Sequence, residues 1–492
     1  MRESLMLKLG GRKRALATVL LCAAITTAPV SFAQTFKTLL DFSGADGAGP
    51  QGVLVQGPNG NLYGTTKFGG TNSAGTVFKL ASDGKPKTLY SFCSQTYCYD
   101  GAFPAAGLVL SSDGNFYGTT WGGGLINAGT VFKITPKGSL TVLYSFCSGY
   151  ECPDGAGPNA GLVQGTDGNF YGTTVEGGAH GYVTGAVFKI SREGAFKTLY
   201  SFCSKPHCSD GQSPVAGLVQ GNDGNFYGTT YAGGANCIAQ GGCGTAFKIT
   251  PAGKLTTLHS FCAQTNCTDG ANPAGLLVQS ASGSFYGTAV LGGTKNQQCS
   301  SGCGTIFQIT SAGKLATLHA FNYSDGEWPY EGLVRATDGS FYGTTYLGGT
   351  RDGGTVFKMD PGGKLKTLHS FTFKDGDGPQ AGLVQITDGT FDGTTSAGGS
   401  HNVGTLFNVS LGLGPFVETV PTAGKVGAKV LILGTNLTGT TSVSFHGTPA
   451  TFKVISSSEI ETSVPDGATA GEVKVKTPQG ALASNVAFRV TH

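Results

Sequence analysis

One fourteen-residue phrase recurs seven times along this 492-residue chain, most clearly as Gly161-Leu162-Val163-Gln164-Gly165-Thr166-Asp167-Gly168-Asn169-Phe170-Tyr171-Gly172-Thr173-Thr174. Its aromatic position falls at Tyr63, Tyr117, Tyr171, Tyr227, Tyr286, Tyr342 and, in the last copy, Asp392, giving steps of 54, 54, 56, 59, 56 and 50 residues. Self-similarity at such periods marks a propeller or another repeat array, in which each unit buries its apolar faces against its neighbours.

Each unit holds four short apolar runs, in the third copy Gly161 to Gln164, Asn169 to Thr174, Gly185 to Ile190 and Lys197 to Phe202. Helical periodicity is absent, and Pro, Gly and Asp punctuate the runs at strand spacing, so an all-β meander is expected. Asp167-Gly168 and its counterparts suit tight hairpins between the first two runs, because glycine tolerates positive φ and a short acid bonds the local backbone. Pro136, Pro251 and Pro361 open equally short turns between the last two. The other two joints are long and vary between copies. Strand alternation sends both to one face, where specificity can reside.

The ends of the array complement each other. Phe36 to Phe42 copies a fourth run with no first three before it, and the seventh unit stops after its third run at Gly404 to Val409. The predicted fold is therefore a seven-bladed β-propeller over 34–410, closed by the N-terminal strand so that no open edge remains.

The phrase, followed by Gly-Thr-Val-Phe-Lys-Ile, resembles the Gloeobacter/Verrucomicrobia (GloVer) tandem repeat of exported bacterial proteins, over about three quarters of the chain. More distantly it is similar to NHL and kelch blades. The resemblance implies secretion or surface display, a Gly-Leu-Val strand lining a central channel and a Leu-x-Ser-Phe strand outermost. It implies no activity.

Residues 1–33 read as an export signal: Lys8, Arg12, Lys13 and Arg14 precede the apolar run Ala15 to Val30, and cleavage is expected after Ala33. The run is too short for a membrane span, and Leu21 before Cys22 does not fit a lipoprotein signal. Cleavage leaves 27 basic against 28 acidic residues, since five of the 32 Lys and Arg and one of the 29 Asp and Glu precede position 34. A near-neutral mature chain carries no electrostatic footprint for nucleic acid. No later run is long enough to cross a bilayer, so the expected location is secreted or cell-surface, periplasmic or extracellular, and a monomer is expected.

Twelve cysteines follow the signal in close pairs: Cys93/Cys98, Cys147/Cys152, Cys203/Cys208, Cys262/Cys267, Cys237/Cys243 and Cys299/Cys303. An even count in an exported chain reads as disulfides. The first four pairs lie in the joint between one unit and the next, where cysteine-bearing copies are four residues longer than the others. The pairs sit on different units with few histidines nearby, so no metal site is expected. No cofactor is expected either.

Asp-Gly-x-x-Pro occurs at Asp46, Asp100, Asp154, Asp210, Asp269, Asp325 and Asp375, and an acid repeated in every unit suits a turn that bonds backbone amides. Repeated residues build units, so a site is sought among residues that break the repeat on the long-loop face. The candidates are Trp121, Trp328, Tyr330, Tyr231, Tyr346, Tyr182, Glu327 and Glu331, with His180, Glu176, Arg351 and His401 beside them. Aromatic planes next to polar groups suit a sugar or a peptide. Nucleophile elbows, His-Glu-x-x-His and phosphate loops are missing, so no catalytic residue is assigned. A polysaccharide hydrolase or lyase remains as the alternative if Glu327 and Glu331 face each other.

After Gly414 the wording changes. Val430-Leu431-Ile432-Leu433, Val443-Ser444-Phe445 and Val473-Lys474-Val475 alternate with turn residues, as in a small β-sandwich over 411–492. The order resembles the IPT/TIG family of immunoglobulin-like domains, which implies a spacer or protein-contact module. The functional expectation is an exported, non-enzymatic scaffold whose long-loop face engages an extracellular glycan or protein.

Overall fold

The computed structural model describes residues 34–491 apart from 82–83, 85 and 238–240. The expected export signal, its cleavage point and Cys22 lie outside the described residues. Each of the first six repeats folds as an antiparallel sheet with its four strands in sequence order, and the fifth adds Ala271–Pro273 beside its second strand. In the third repeat the strands are Val163–Gln164, Phe170–Thr174, Ala186–Ile190 and Phe196–Ser201.

The first strand is shorter than its apolar run, and the residue just before the Gly-Leu pair bonds to the preceding repeat. Thr119 Oγ1 donates to the Ala160 carbonyl at 3.0 Å, and Thr173 Oγ1 to that of Ala216 at 3.0 Å. Such bonds satisfy buried hydroxyls and backbone carbonyls together. The tight Asp-Gly turns are set by local chemistry. Asp167 accepts from the Asn169 amide at 3.1 Å, the Tyr171 hydroxyl at 2.9 Å and Lys189 Nζ at 2.7 Å, while Gly168 takes φ +81°.

The fold is all-β as expected, with brief 3-10 turns at three of the cysteine-bearing joints and at Pro58–Gly60. Cys98, Cys208 and Cys267 are not in irregular loop or strand: each ends a one-turn 3-10 helix, Thr96–Cys98, Pro206–Cys208 and Thr265–Cys267. The cause is the span of the bridge. Joining Cys93 to Cys98 and Cys203 to Cys208 holds Cα atoms five residues apart at 4.0 Å, so the chain must fold back at once. Bonds from each residue to the third before it do this, with the Cys98 amide donating to the Gln95 carbonyl at 2.9 Å and the Cys208 amide to that of Lys205 at 3.0 Å. Cys98 and Cys208 themselves take φ +56° and +51°, which turns the chain toward the following Asp-Gly. The joint from Cys147 to Cys152 makes the corresponding bond, from the Cys152 amide to the Gly149 carbonyl at 3.1 Å, as a plain turn.

Two aromatic ladders join successive repeats. The repeat-marking tyrosine packs face to face on the second-strand Phe of the next repeat, as in Tyr117 on Phe170 at 4.1 Å and Tyr171 on Phe226 at 4.0 Å. The Phe ending each fourth strand meets the third-strand Phe of the next edge-on, as in Phe146 on Phe188 at 5.2 Å. Each such pair contributes about 0.5–1.5 kcal/mol beyond its burial.

The N-terminal strand Thr35–Asp41 pairs with Thr405–Ser410 and completes the seventh sheet. Its Phe42 supplies the edge-on contact to Phe78 at 5.2 Å. Across the same seam the Thr387 amide donates to Gln56 Oε1 at 2.9 Å and Thr394 Oγ1 to the Pro50 carbonyl at 3.4 Å, so the seventh repeat touches the first as the others touch their successors. The tyrosine ladder alone is broken there, where Asp392 and Leu62 replace the aromatic pair. Asp392 accepts instead from Asn408 Nδ2 at 2.7 Å, and the chain leaving the array packs nearby, with the Phe416 amide donating to the Thr387 carbonyl.

The C-terminal strands form two four-stranded sheets and a short parallel pair around a core that includes Val430, Ile432, Val443, Phe445 and Val475. Lys429–Leu433 is buried on both faces. Val430 and Ile432 enter that core, while Leu431 and Leu433 pack with Val420 on Tyr63, Phe116 and Leu110 of the repeats. Leu110 stands where the other copies carry Gln or Arg, so this break in the repeat provides an apolar landing site. Arg489 holds a second edge, donating to the Gly221 carbonyl and to Gln220 Oε1 at 3.1 Å. The C-terminal module thus sits on the tight-turn face.

Candidate functional site at the cavity mouth

The two long joints do share a face. Isolated bridges tie one to the other in six repeats, including Ala48 to Phe68, Ala102 to Gly122 and Glu327 to Leu347. The repeated acid is a loop brace. Asp269 takes the Ala263 and Gln264 amides at 3.0 and 3.1 Å and His259 Nε2 at 3.0 Å, and Asp100 likewise takes Ser94, Gln95 and Tyr90. All six cysteine pairs are bonded as disulfides: Cys93–Cys98, Cys147–Cys152, Cys203–Cys208, Cys237–Cys243, Cys262–Cys267 and Cys299–Cys303. Two pairs that sequence position separates come together, since the sulfurs of Cys237, Cys243, Cys262 and Cys267 lie within 4.8 Å of one another. They meet because the joint inside the fourth repeat folds onto the joint leaving it. As disulfides they present no thiolate to a metal.

The first strands of the repeats and the residues leading into them, drawn from all seven, line one cavity of about 680 Å³, a size that holds a small ligand. Its wall is mostly Gly, Ala, Val and Leu. On the long-loop side the lining includes Gln51, Lys67, Tyr231, Tyr330 and Gln380; on the tight-turn side the C-terminal module contributes Glu418. Pro and the two residues after it repeat around this wall, and the second of these is Gly52, Ala106, Ala160, Ala216, Gly275, Glu331 or Ala381. One repeat in seven therefore places a carboxylate on a ring of small side chains.

Glu331 and Glu418 are half-buried by accessible area and line the cavity, with protein packed closely around each. Burial pushes Glu331 up to about 8 and Glu418 to about 7, with no neighbouring charge or hydrogen bond contributing. Burial also holds Lys67 below its ordinary value.

Aromatic side chains gather beside Glu331. Trp328 and Tyr346 stack with ring planes 11° apart at 6.4 Å, and Tyr330 stands edge-on to Tyr346 at 5.6 Å. Burial, then the Tyr231 and Tyr346 hydroxyls, raises Tyr330 above the usual tyrosine range, which links Tyr231 to the cluster. Tyr231 is held through its carbonyl, which accepts from Asn272 Nδ2 at 2.9 Å. Trp328 itself adopts φ +55°, at a position where Gly49, Gly157 and Gly378 stand in other repeats.

Of the residues singled out in the sequence, Trp328, Tyr330, Tyr346, Tyr231 and Glu331 are thus brought together. Trp121 and Tyr182 are not. Trp121 is 40% exposed beside Gly157, and Tyr182 is 54% exposed with its hydroxyl on Glu176. Glu327 is buried against the Cys299–Cys303 disulfide, and burial followed by the Asp352 charge raises it. Neither Glu327 nor Glu331 feels the other's charge, so the pair does not form a two-carboxylate arrangement. Lys67, Gln51 and Gln380 were missed, although alignment reveals Lys67: the residue after Tyr-Gly-Thr-Thr is Lys67, Trp121, Val175, Tyr231, Val290, Tyr346 or Ser396. Glu418 carries no such signal, because it arrives from outside the repeat.

The Gloeobacter/Verrucomicrobia repeat model matches residues 26–165, 149–298 and 292–448, and the IPT/TIG domain model matches 416–490. No curated protein matches the chain. Among solved structures it is similar to the periplasmic gluconolactonase of Pseudomonas aeruginosa, at 19% identity over 65% of this chain and 84% of that one, with a TM-score of 0.41. It is also similar to PorZ, a surface component of the type-IX secretion system of Porphyromonas gingivalis, at 15% identity over 88% of this chain and 58% of that one, with a TM-score of 0.43. A gluconolactonase from Xanthomonas campestris aligns at 12% identity over 76% and 89%, with a TM-score of 0.39. These likenesses are too distant to carry an activity across. On the repeat and the terminal module together, the chain belongs to the Gloeobacter/Verrucomicrobia repeat family and ends in an IPT/TIG domain.

Proposed function

We propose that this is an exported, non-enzymatic binding scaffold: a closed seven-bladed propeller over 34–410, with an Ig-like module at 411–492, that engages a glycan or a protein through its long-loop face. The seam contacts of Phe42, Gln56 and Thr394 support closure. Six disulfides support an oxidising compartment outside the cytoplasm. Among the described residues no helix is long and apolar enough to cross a membrane.

The observation that carries the binding reading is the meeting of Trp328, Tyr330, Tyr346 and Tyr231, of which Tyr231 and Tyr330 line a cavity whose wall is mostly small and apolar. Rigid amphipathic rings supply contact area at low conformational cost and suit a sugar face or a peptide side chain. A glycan array and pull-downs from extracellular material test it with wild-type protein and with Trp328→Ala and Tyr346→Ala. The expected result is a ligand whose binding falls tenfold or more in both variants while Trp121→Ala binds normally. A ligand bound equally by Trp328→Ala and Tyr346→Ala sinks the site.

A further inference from the structure

Glu331 has no role in building the array. Four other repeats hold Ala and two hold Gly at its position, and its side chain packs on Gly382, where an added Cβ would meet Glu331 Cγ at 2.9 Å. Its backbone does the repeated work, the carbonyl accepting from Thr288 Oγ1 at 3.0 Å as Ala106, Ala160, Ala216 and Ala381 accept from their own threonines. The side chain takes part in no hydrogen bond or ion pair among the described residues. An ionised carboxylate enclosed without a partner costs several kcal/mol, so a chain that keeps one there gains nothing in folding.

The surroundings define what would complete it. The C-terminal module reaches the cavity and adds Glu418 as a second unpaired acid. Its wall offers no cation at Glu331, since Lys67 exerts no charge on it. Entry from the long-loop side passes the Tyr231 and Tyr330 rings and the amides of Gln51 and Gln380. Rings that stack on a pyranose face, amides that bond hydroxyls and a buried carboxylate that pairs with an ammonium together describe a sugar bearing a free amine.

We propose that the channel binds an amino sugar, with Glu331 pairing to its protonated amine and Tyr231 and Tyr330 framing its ring. This rests on the long-loop face being the binding face, and it names the ligand class of the cavity behind that face. A peptide lysine shares the ammonium but not the hydroxyls, so it serves as the contrast.

Calorimetric titration of the full mature chain with glucosamine di- to tetrasaccharides, their N-acetylated counterparts and a lysine-containing tripeptide tests the proposal. Glu331→Gln keeps the shape, and Glu331→Ala restores the residue of four other repeats, so both fold. The expected result is binding of the free-amine sugars, at least tenfold weaker in both variants and at least tenfold weaker for the acetylated sugars and the tripeptide. Equal binding of free and acetylated sugars, or unchanged affinity in Glu331→Gln, overturns it, as does a tripeptide that binds as well as the sugars. If none of these sugars binds while another ligand is captured in a Trp328-dependent way, the channel proposal falls and the rim reading stands. If amine sugars bind through Glu331 but Trp328→Ala and Tyr346→Ala have no effect on any ligand, the channel proposal stands and the aromatic rim assignment falls.

Discussion

Trp328 occupies a left-handed backbone conformation that costs a large L-residue about 1–2 kcal/mol, and glycine serves the same turn in three other repeats. Stacking on Tyr346 and contact with Tyr330 return about as much. Trp328→Gly is therefore expected to change stability by no more than about 1 kcal/mol in a denaturant titration while abolishing ligand binding. A loss of several kcal/mol would make Trp328 a structural residue. Asp392 is the opposite case, a departure from the repeat that the fold itself explains. The sequence marked it as the odd copy of the tyrosine, but the partner that accounts for it, Asn408, and the chain passing the seam become visible only in three dimensions. Glu331 was legible as an unrepeated acid; its separation from Glu327 was not, because the chain between them turns one toward the cavity and the other to the disulfide.

At the scale of the element, the strand Thr35–Asp41 joins the two ends of the array. Phe42→Ala removes a fully buried ring at that junction and is expected to destabilise the fold by about 3–5 kcal/mol, read from chemical denaturation. Removing 34–42 altogether leaves Thr405–Ser410 as an open edge, with aggregation as the expected outcome in light scattering. A truncated protein that stays soluble with unchanged stability would contradict the role of the strand. The stapled joints behave differently. Cys147 and Cys152 close a loop too short to restrict the unfolded chain strongly, so the double Cys→Ser variant is expected to lose no more than about 2 kcal/mol. The strand plan of each repeat was readable from its runs and turns, since propensity and turn chemistry agree there. The shortness of the first strand was not, because the bond that ties the residue before it, such as Ala160, to the preceding repeat joins positions 41 residues apart. Nor were the 3-10 turns ending at Cys98, Cys208 and Cys267, because three residues are too few to show a helical period.

For the whole molecule, two sets of carboxylates set opposite limits on pH. Asp113, Asp167, Asp223 and Asp338 lose some stabilisation to burial, but bonds from Asn, Tyr and Lys outweigh it and hold them below the usual range. Their contribution is present above the ordinary carboxylate value and is lost as pH falls through their lowered values. Glu331, Glu418 and Asp392 are raised chiefly by burial, to about 8, 7 and 7. Each folded acid keeps its proton where the unfolded chain has lost it, so its contribution is full below the ordinary value and is lost as pH rises through 7 to 8. Without ligand, the thermal midpoint is expected to be higher at pH 5 than at pH 8, and Glu331→Ala or Asp392→Asn should each narrow the difference. A midpoint that rises steadily from pH 5 to 8 would show that these acids are paired in solution. The docking of the C-terminal module over the tight-turn face was not legible in the sequence, because Leu110, Leu431 and Leu433 each read as ordinary apolar residues until they meet. That docking brings Glu418 into the cavity wall. The most direct test of a site built from the residues that break the repeat is hydroxyl-radical footprinting of the full chain with its captured ligand. The account predicts protection of Trp328, Tyr330 and Tyr231 with the exposed Tyr97 and Tyr150 of the Cys93–Cys98 and Cys147–Cys152 loops unchanged; protection confined to those two tyrosines or to the C-terminal module would contradict it.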